Sequence, residues 1–299
     1  MKKLFIDMLS TFIKNPSKKK LIRNILTNKI DTKNNNNNNN PNNILDITAK
    51  INQIANDTSN LKHFINRIVE RKLSVAELHK KTFTPFKNKH QNQEIVVIGT
   101  GPTAKLYTPL KDAIHLGVNH SFLLKNVKLD YFFIQDFYEK KDMIKDINNY
   151  QGNNCIKFYG LVVEKHYNDM NHIVPESDSI VANALRYRTD WESISDYWSD
   201  RISSEFAFDI TTQALGDFCS VIFPSLQFSL YTNPKRIYIV GCDLTNNHFY
   251  DNKTLHNYYN KYYPTWQKFK EFAQIYYPDT EIVSINPVGL KGMFKDIYS

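Results

Sequence analysis

The stretch Glu94–Thr103, EIVVIGTGPT, constrains this chain more than any other ten residues. Ile95 to Ile98 are all β-branched and apolar, too short a run for a helix. They read as a strand buried on both faces, the habit of a parallel sheet. Gly99 and Gly101 end the run, and Pro102 suits the first turn of a new helix. That arrangement carries backbone close to a phosphate, because glycine adds no side chain and a helix start leaves N–H groups unpaired.

Further strand-like runs occur at Ala113–Val118, Tyr131–Ile134, Ile156–Tyr159, Arg236–Val240 and Glu281–Ile285, with helical candidates at Thr212–Leu230 and Pro264–Tyr276. The alternation predicts an α/β fold, a single Rossmann-like, mostly parallel sheet with helices on both faces, preceded by an α-helical N-terminal extension. Residues 160–210 break the pattern and are expected to hold an acceptor-binding insertion or lid.

Composition shifts before that domain, which spans 91–299. Residues 1–33 hold nine Lys/Arg against Asp7 and Asp31. Leu4, Phe5, Met8, Leu9, Phe12 and Ile13 recur at helical spacing there, and Leu21, Ile22, Ile25 and Leu26 repeat it after Pro16. Two basic amphipathic helices of this kind suit an anionic membrane surface, the alternative being packing on the protein body. Residues 34–43 form an Asn-rich linker with nothing to bury. Ile44, Ile47, Ile51, Ile54, Thr58, Leu61, Ile65 and Ile68 then mark a heptad seam within a helical segment, 44–90. Ile at both core positions favours a homo-trimer or tetramer over a dimer. A single helix lying on the domain is the alternative, and Asp57–Asn60 could break it in two.

Residues 1–90 hold 18 basic against 6 acidic residues, and residues 91–299 hold 20 against 24. The basic balance therefore belongs to the leader, which argues against a nucleic-acid partner for the globular part. Three cysteines, without metal spacing, and the lack of a signal peptide or a membrane-spanning run point to a reduced cytoplasmic setting, peripheral to the inner membrane.

Gly99-Thr100-Gly101-Pro102-Thr103-Ala104 satisfies the loose dinucleotide fingerprint. That fingerprint needs an acid at the end of the second strand to hold a ribose, and Asn119 stands there instead. Gln135 follows the third strand, and Gly241 and Asp243 follow Arg236–Val240. Ligands of open α/β sheets sit at such strand ends, so Thr100, Thr103, Asn119, Gln135, Gly241 and Asp243 are expected to ring one pocket.

In this order the motifs GTGPT, GVNHS, IQDF, DITT, KRIYIVGCDLT and the terminal KFKEFAQIYYPDTEIVSINPVGLKGMF resemble bacterial glycosyltransferase family 42, the CMP-sialic acid-dependent sialyltransferases, and related motility-associated sugar transferases. The resemblance covers roughly residues 94–296. It implies nucleotide contacts from Gly99, Thr100, Gly101, Thr103, Asn119, Gln135, Thr211, Thr212, Gly241 and Asp243. Thr100 and Thr103 replace the family's Asn and Ser, and Gln213 replaces a glycine after Thr212. It also implies a His base before the penultimate helix, where the aligned slot falls near Lys261; His256 and His248 are the candidates. Tyr250 matches a tyrosine that stabilises the leaving phosphate. Arg186, Arg188 and Arg201 are further candidates for that charge.

The expected activity is inverting sugar transfer, with His taking the acceptor's proton. An acidic sugar would pass from a CMP-sugar donor to a glycan or glycolipid acceptor, a lipo-oligosaccharide or capsule. No Asp-x-Asp occurs in the chain, so no metal and no cofactor are expected. The alternatives are another nucleotide sugar or phosphotransfer on the same fold, or a non-catalytic scaffold using the heptad seam.

Overall fold

The structure, a computed structural model, describes residues 41–135, 146, 147, 149, 150, 154–161, 185–189, 205–245, 247–251 and 259–298. The leader 1–33, most of the Asn-rich linker and most of 160–210 lie outside them. The chain divides into two units, Met1–Glu70 and Arg71–Ser299. In the first, helix α1 (Pro41–Phe83) runs unbroken through Asp57–Asn60 and continues into the second unit. Thr58 turns its hydroxyl back onto the Ile54 carbonyl, at 2.7 Å, rather than breaking the helix. Ile54 on the heptad seam is exposed. No helix among the described residues is long and apolar enough to cross a membrane.

Among the described residues, the second unit is built on eight strands: β1 (Glu94–Ile98), β2 (Ile114–Val118), β3 (Tyr131–Ile134), β4 (Ile156–Leu161), β5 (Leu185–Arg188), β6 (Arg236–Val240), β7 (Glu281–Ile285) and β8 (Lys295–Ile297). They form one sheet in the order β5-β4-β3-β2-β1-β6-β7-β8. Every pairing is parallel. The strands expected from the sequence stand within two residues of their places. β5 and β8 were not foreseen, because LRYR and KDI carry charges where a buried strand would be apolar. Both are edges, where short length and charge discourage pairing with another chain.

Alternate residues of β1 enter different cores. Ile95 and Val97 join Phe83, Phe133, Phe158, Phe228, Trp266 and Phe269 on one face. That face receives the end of α1, helix α2 (Ile222–Tyr231) and helix α3 (Tyr259–Tyr276). Val96 and Ile98 face Tyr107, Leu124, Leu129, Phe132 and Ile147. There the cover, among the described residues, comes from the 3-10 turns Pro102–Leu106 and Asn119–Leu123 and the helical turn at Ile147. The helices expected on both faces are thus unequal in kind.

The helix expected over Thr212–Leu230 begins only at Ile222. Phe218 and Cys219 hold φ of +46° and +65°, which a right-handed helix cannot contain. Starting at Ile222 also puts Pro224 in the first turn, where its missing N–H is not needed. α3 starts five residues ahead of the expected Pro264, which lies inside it.

The sheet unit also begins earlier than residue 91. Phe83 and Phe86 wedge into the rings of Phe158 and Phe228, with Phe86–Phe228 centroids 5.3 Å apart and Phe158–Phe228 4.8 Å. Each such ring stabilises the fold by about 1.5–3 kcal/mol through burial. One turn earlier His79 is fully buried. Its Nδ1 lies 2.9 Å from the Ile210 carbonyl, and its Nε2 accepts from the Arg188 N–H at 2.7 Å. Only the neutral imidazole, protonated on Nδ1, can make both bonds.

Burial accordingly lowers the His79 pKa from 6.5 to about 4. The unfolded chain takes the proton first as pH falls, so stability present above pH 6.5 is lost between about 6.5 and 4. By linkage the loss approaches ~3 kcal/mol. Urea midpoints across this range should fall steeply in the wild type and less steeply in His79→Gln. Equal slopes would contradict a buried neutral histidine at this place.

Candidate functional site

Strands β1 to β5 extend one way from the middle of the sheet and β6 to β8 the other. The order therefore reverses between β1 and β6, and the crevice at their carboxyl ends is the place a doubly wound sheet offers a ligand. Two glycine turns meet there. The Gly99 N–H donates to the Val240 carbonyl at 2.8 Å, and the Gly101 N–H to the Gly241 carbonyl at 2.7 Å. A Cβ on Gly99 would lie 2.5 Å from the Gly241 oxygen. Gly241 holds φ at +65°, a conformation glycine adopts without strain.

These glycines serve backbone-to-backbone packing of two strand ends. The N–H groups of Gly99, Gly101, Thr103 and Ala104 all donate within the protein. Gly101 leads into a five-residue 3-10 turn, not the α-helix expected from the fingerprint. Of the amides in GTGPT, those of Gly99, Gly101 and Thr103 are thus engaged within the protein rather than turned to a phosphate.

Beside the paired turns lies a cavity of about 300 Å³. Gly99, Thr100 and Gly101 line it from β1, Asn119 from β2, Gln135 from β3, and Gly241 and Asp243 from β6. The rest of the lining comes from the approach to α2, from Asp217 and Cys219 to Phe223, and from Tyr262 and Trp266 of α3. Asn119 is held at φ +47°, and its Oδ1 is buried without a hydrogen-bond partner. Gln135 donates through Nε2 to Asp217 Oδ2 at 2.7 Å, and its Oε1 is likewise buried without a partner. The Cys219 N–H caps the other Asp217 oxygen at 3.0 Å.

His248 also lines the cavity, on a loop docked against β1 by the Phe249 N–H to the Thr100 carbonyl, 2.9 Å. Its Nδ1 is 2.9 Å from Thr100 Oγ1. With Nδ1 as donor, Nε2 keeps the lone pair a general base requires. Tyr250 stacks on the His248 ring, centroids 5.1 Å apart and 9° from parallel, and on His120 at 4.2 Å. Burial raises the Tyr250 hydroxyl pKa above its usual value.

Other expected contacts lie elsewhere. The Thr103 backbone N–H and hydroxyl both donate to the Asp243 carboxylate, the former at 2.8 Å. Burial raises the Asp243 pKa while these bonds oppose the rise, so Thr103 holds Asp243 rather than facing the cavity. Thr211 and Thr212 wrap Asp209, with the Thr211 hydroxyl 2.6 Å from Oδ1, outside the cavity. Arg186 and Arg188 sit on edge strand β5 and do not line it either. His256 and Arg201 lie outside the described residues. Cys219, Ser220 and Asp217 escaped the sequence reading, although the Gly216-Asp217 turn signal and Pro224 together mark a helix starting after them. Burial pushes the Cys242 thiol up, away from a nucleophilic role.

Fold and cavity together define a doubly wound parallel α/β protein with a polar switch-point pocket. No protein-family model matches the chain, and neither does any curated protein. Among solved structures it is similar to the sialyltransferase CstII from Campylobacter jejuni in complex with the substrate analogue CMP-3FNeuAc. That likeness has 13% identity over 69% of this chain and 86% of that one, with a TM-score of 0.41. The MAf glycosyltransferase from Magnetospirillum magneticum AMB-1 matches 75% of this chain and 38% of its own length, at 12% identity and a TM-score of 0.43.

Gly101→Ala would put a Cβ 2.5 Å from Asp243 Oδ2 and 2.8 Å from the Gly241 oxygen. It should lower stability by about 1–3 kcal/mol, as overpacking does. Thr103→Val leaves buried Asp243 short of a donor and should cost about 1–3 kcal/mol. Denaturant titration of both variants checks this; wild-type midpoints would show that the paired turns tolerate a gap.

Proposed function

We propose that this protein is a metal-independent inverting glycosyltransferase. It would move an acidic sugar, sialic acid or a relative, from a CMP-sugar donor to a bacterial surface glycan or glycolipid. The observation that carries this reading is the polar lining of the switch-point cavity, where Asn119 Oδ1 and Gln135 Oε1 are buried without partners. Hydroxyl or amine groups of a nucleotide sugar satisfy such acceptors. The ligand's anionic groups suit the first turn of α2, where Val221 and Ile222 line the cavity; the Ser220 and Phe223 N–H groups already donate to the Asp217 and Ser220 carbonyls.

Of the two candidate bases, His248 stands in the cavity wall with its Nδ1 held by Thr100. In this mechanism His248 Nε2 takes the proton of the acceptor hydroxyl. That oxygen attacks the anomeric carbon from the face opposite the nucleotide, and CMP leaves with the bonding pair on its phosphate. Tyr250, stacked on His248, keeps the imidazole plane fixed. Metal independence rests on the chain's lack of Asp-x-Asp. The basic leader 1–33 supports peripheral contact with the inner membrane from the cytoplasm, and the Ile-rich seam supports a homo-trimer or tetramer.

In a thermal-shift panel of CMP, UDP, GDP, NAD and FAD, CMP should raise Tm most, with EDTA making no difference. His248→Ala should lose turnover by about 10²–10⁴-fold while still binding CMP. Preferential stabilisation by NAD or FAD would refute the donor class. Full activity in His248→Ala, with loss in His256→Ala, would move the base to the other histidine.

A further inference from the structure

Three side chains from separate elements line the one cavity. Gln135, at the end of β3, is 8% exposed, and Asp217, ahead of α2, is 2% exposed. Asn119 follows β2. A carboxylate accepts hydrogen bonds and cannot donate them, so the amide face Gln135 turns toward Asp217 must be its NH₂. The Gln135 amide is thereby locked with Oε1 presented away from Asp217, buried and without a partner. Asn119 Oδ1 is in the same condition. Asp217 itself is oriented by the Cys219 N–H on Oδ1 and by Gln135 on Oδ2. Gln135 Oε1, Asn119 Oδ1 and the Asp217 carboxylate are therefore acceptors belonging to the lining of one cavity.

We propose that Asn119, Gln135 and Asp217 form an acceptor wall selecting the ligand by its hydroxyl or amine hydrogens, and that Asp217 is the positioning residue holding Gln135 as an acceptor. The inference rests on the proposed nucleotide-sugar activity and sharpens it. The donor turns O–H or N–H groups to this wall. Two buried acceptors without a partner weaken any ligand that cannot donate to them, because their desolvation goes uncompensated. The hydrogens can come from the nucleoside, as ribose hydroxyls or a base amine, or from the transferred sugar.

The test compares dissociation constants of wild type, Asp217→Asn and Gln135→Met for CMP, UMP, 2′,3′-dideoxy-CMP and CMP-N-acetylneuraminate. In the wild type, one loss of donor hydrogens should weaken binding about tenfold. The step from CMP to UMP reports the base amine, that from CMP to the dideoxy nucleotide the ribose, and that from the CMP-sugar to CMP the sugar. Asp217→Asn offers Gln135 an amide that can also donate, so Gln135 can turn over, and the same loss should shrink to under about threefold. Gln135→Met keeps the side-chain shape without the acceptor and should show the same collapse. In ¹⁵N-labelled wild type the Gln135 amide protons should be protected from exchange, and in folded Asp217→Asn they should lose that protection.

Discrimination unchanged in both variants, equal weakening of every ligand, or unprotected Gln135 protons in the wild type would each overturn the wall while leaving CMP binding intact. If no nucleotide in the panel binds, the nucleotide-sugar reading falls and the selection falls with it.

Discussion

The contact between two glycine turns holds this site together. Gly101 donates to the Gly241 carbonyl, and Gly99 approaches Gly241 closer than any Cβ would allow. That approach joins the ends of β1 and β6 at the point where strand order reverses. It also sets the depth at which Thr103 meets Asp243 and at which the His248 loop docks on Thr100. A side chain at either turn would part the strand ends and open the floor of the cavity. The glycines are thus a packing constraint first, and the Gly99 and Gly101 amides are engaged in that packing.

Rigid elements then carry the polar groups. Asn119 and Gln135 stand at the ends of neighbouring parallel strands, so sheet register sets their spacing. Asp217 and Ser220 are placed by a strained turn at Phe218 and Cys219 that aims α2 at the crevice. Behind the wall, Phe133, Phe158 and Phe228 pack ring on ring. The end of α1 and the 3-10 turn after it add Phe83 and Phe86 to that stack, and His79 pins it to β5. The core that supports the site therefore draws on residues well before the first strand.

The central strands were legible because burial on both faces leaves an unbroken β-branched or aromatic run, as in EIVVI and YFFI. The edge strands were not, because LRYR and KDI are charged for reasons that concern only an edge. The start of α2 was misjudged because periodicity continues through residues whose backbone leaves the helical region. Pro224 was the local signal, and it gains weight only once the turn before it is known.

Residue types at strand ends, the missing acid after β2 and the absence of Asp-x-Asp were all readable from the chain alone. They determined a parallel α/β fold with a polar pocket and pointed away from a dinucleotide site. Tertiary structure decided which groups face that pocket. It turned Thr103 toward Asp243, kept Thr211 and Thr212 on Asp209, and brought Asp217 to Gln135 across a separation of 82 residues. A sequence states which side chains can donate or accept. Only the fold states which partners they have already met, and so which of them a ligand still has to satisfy.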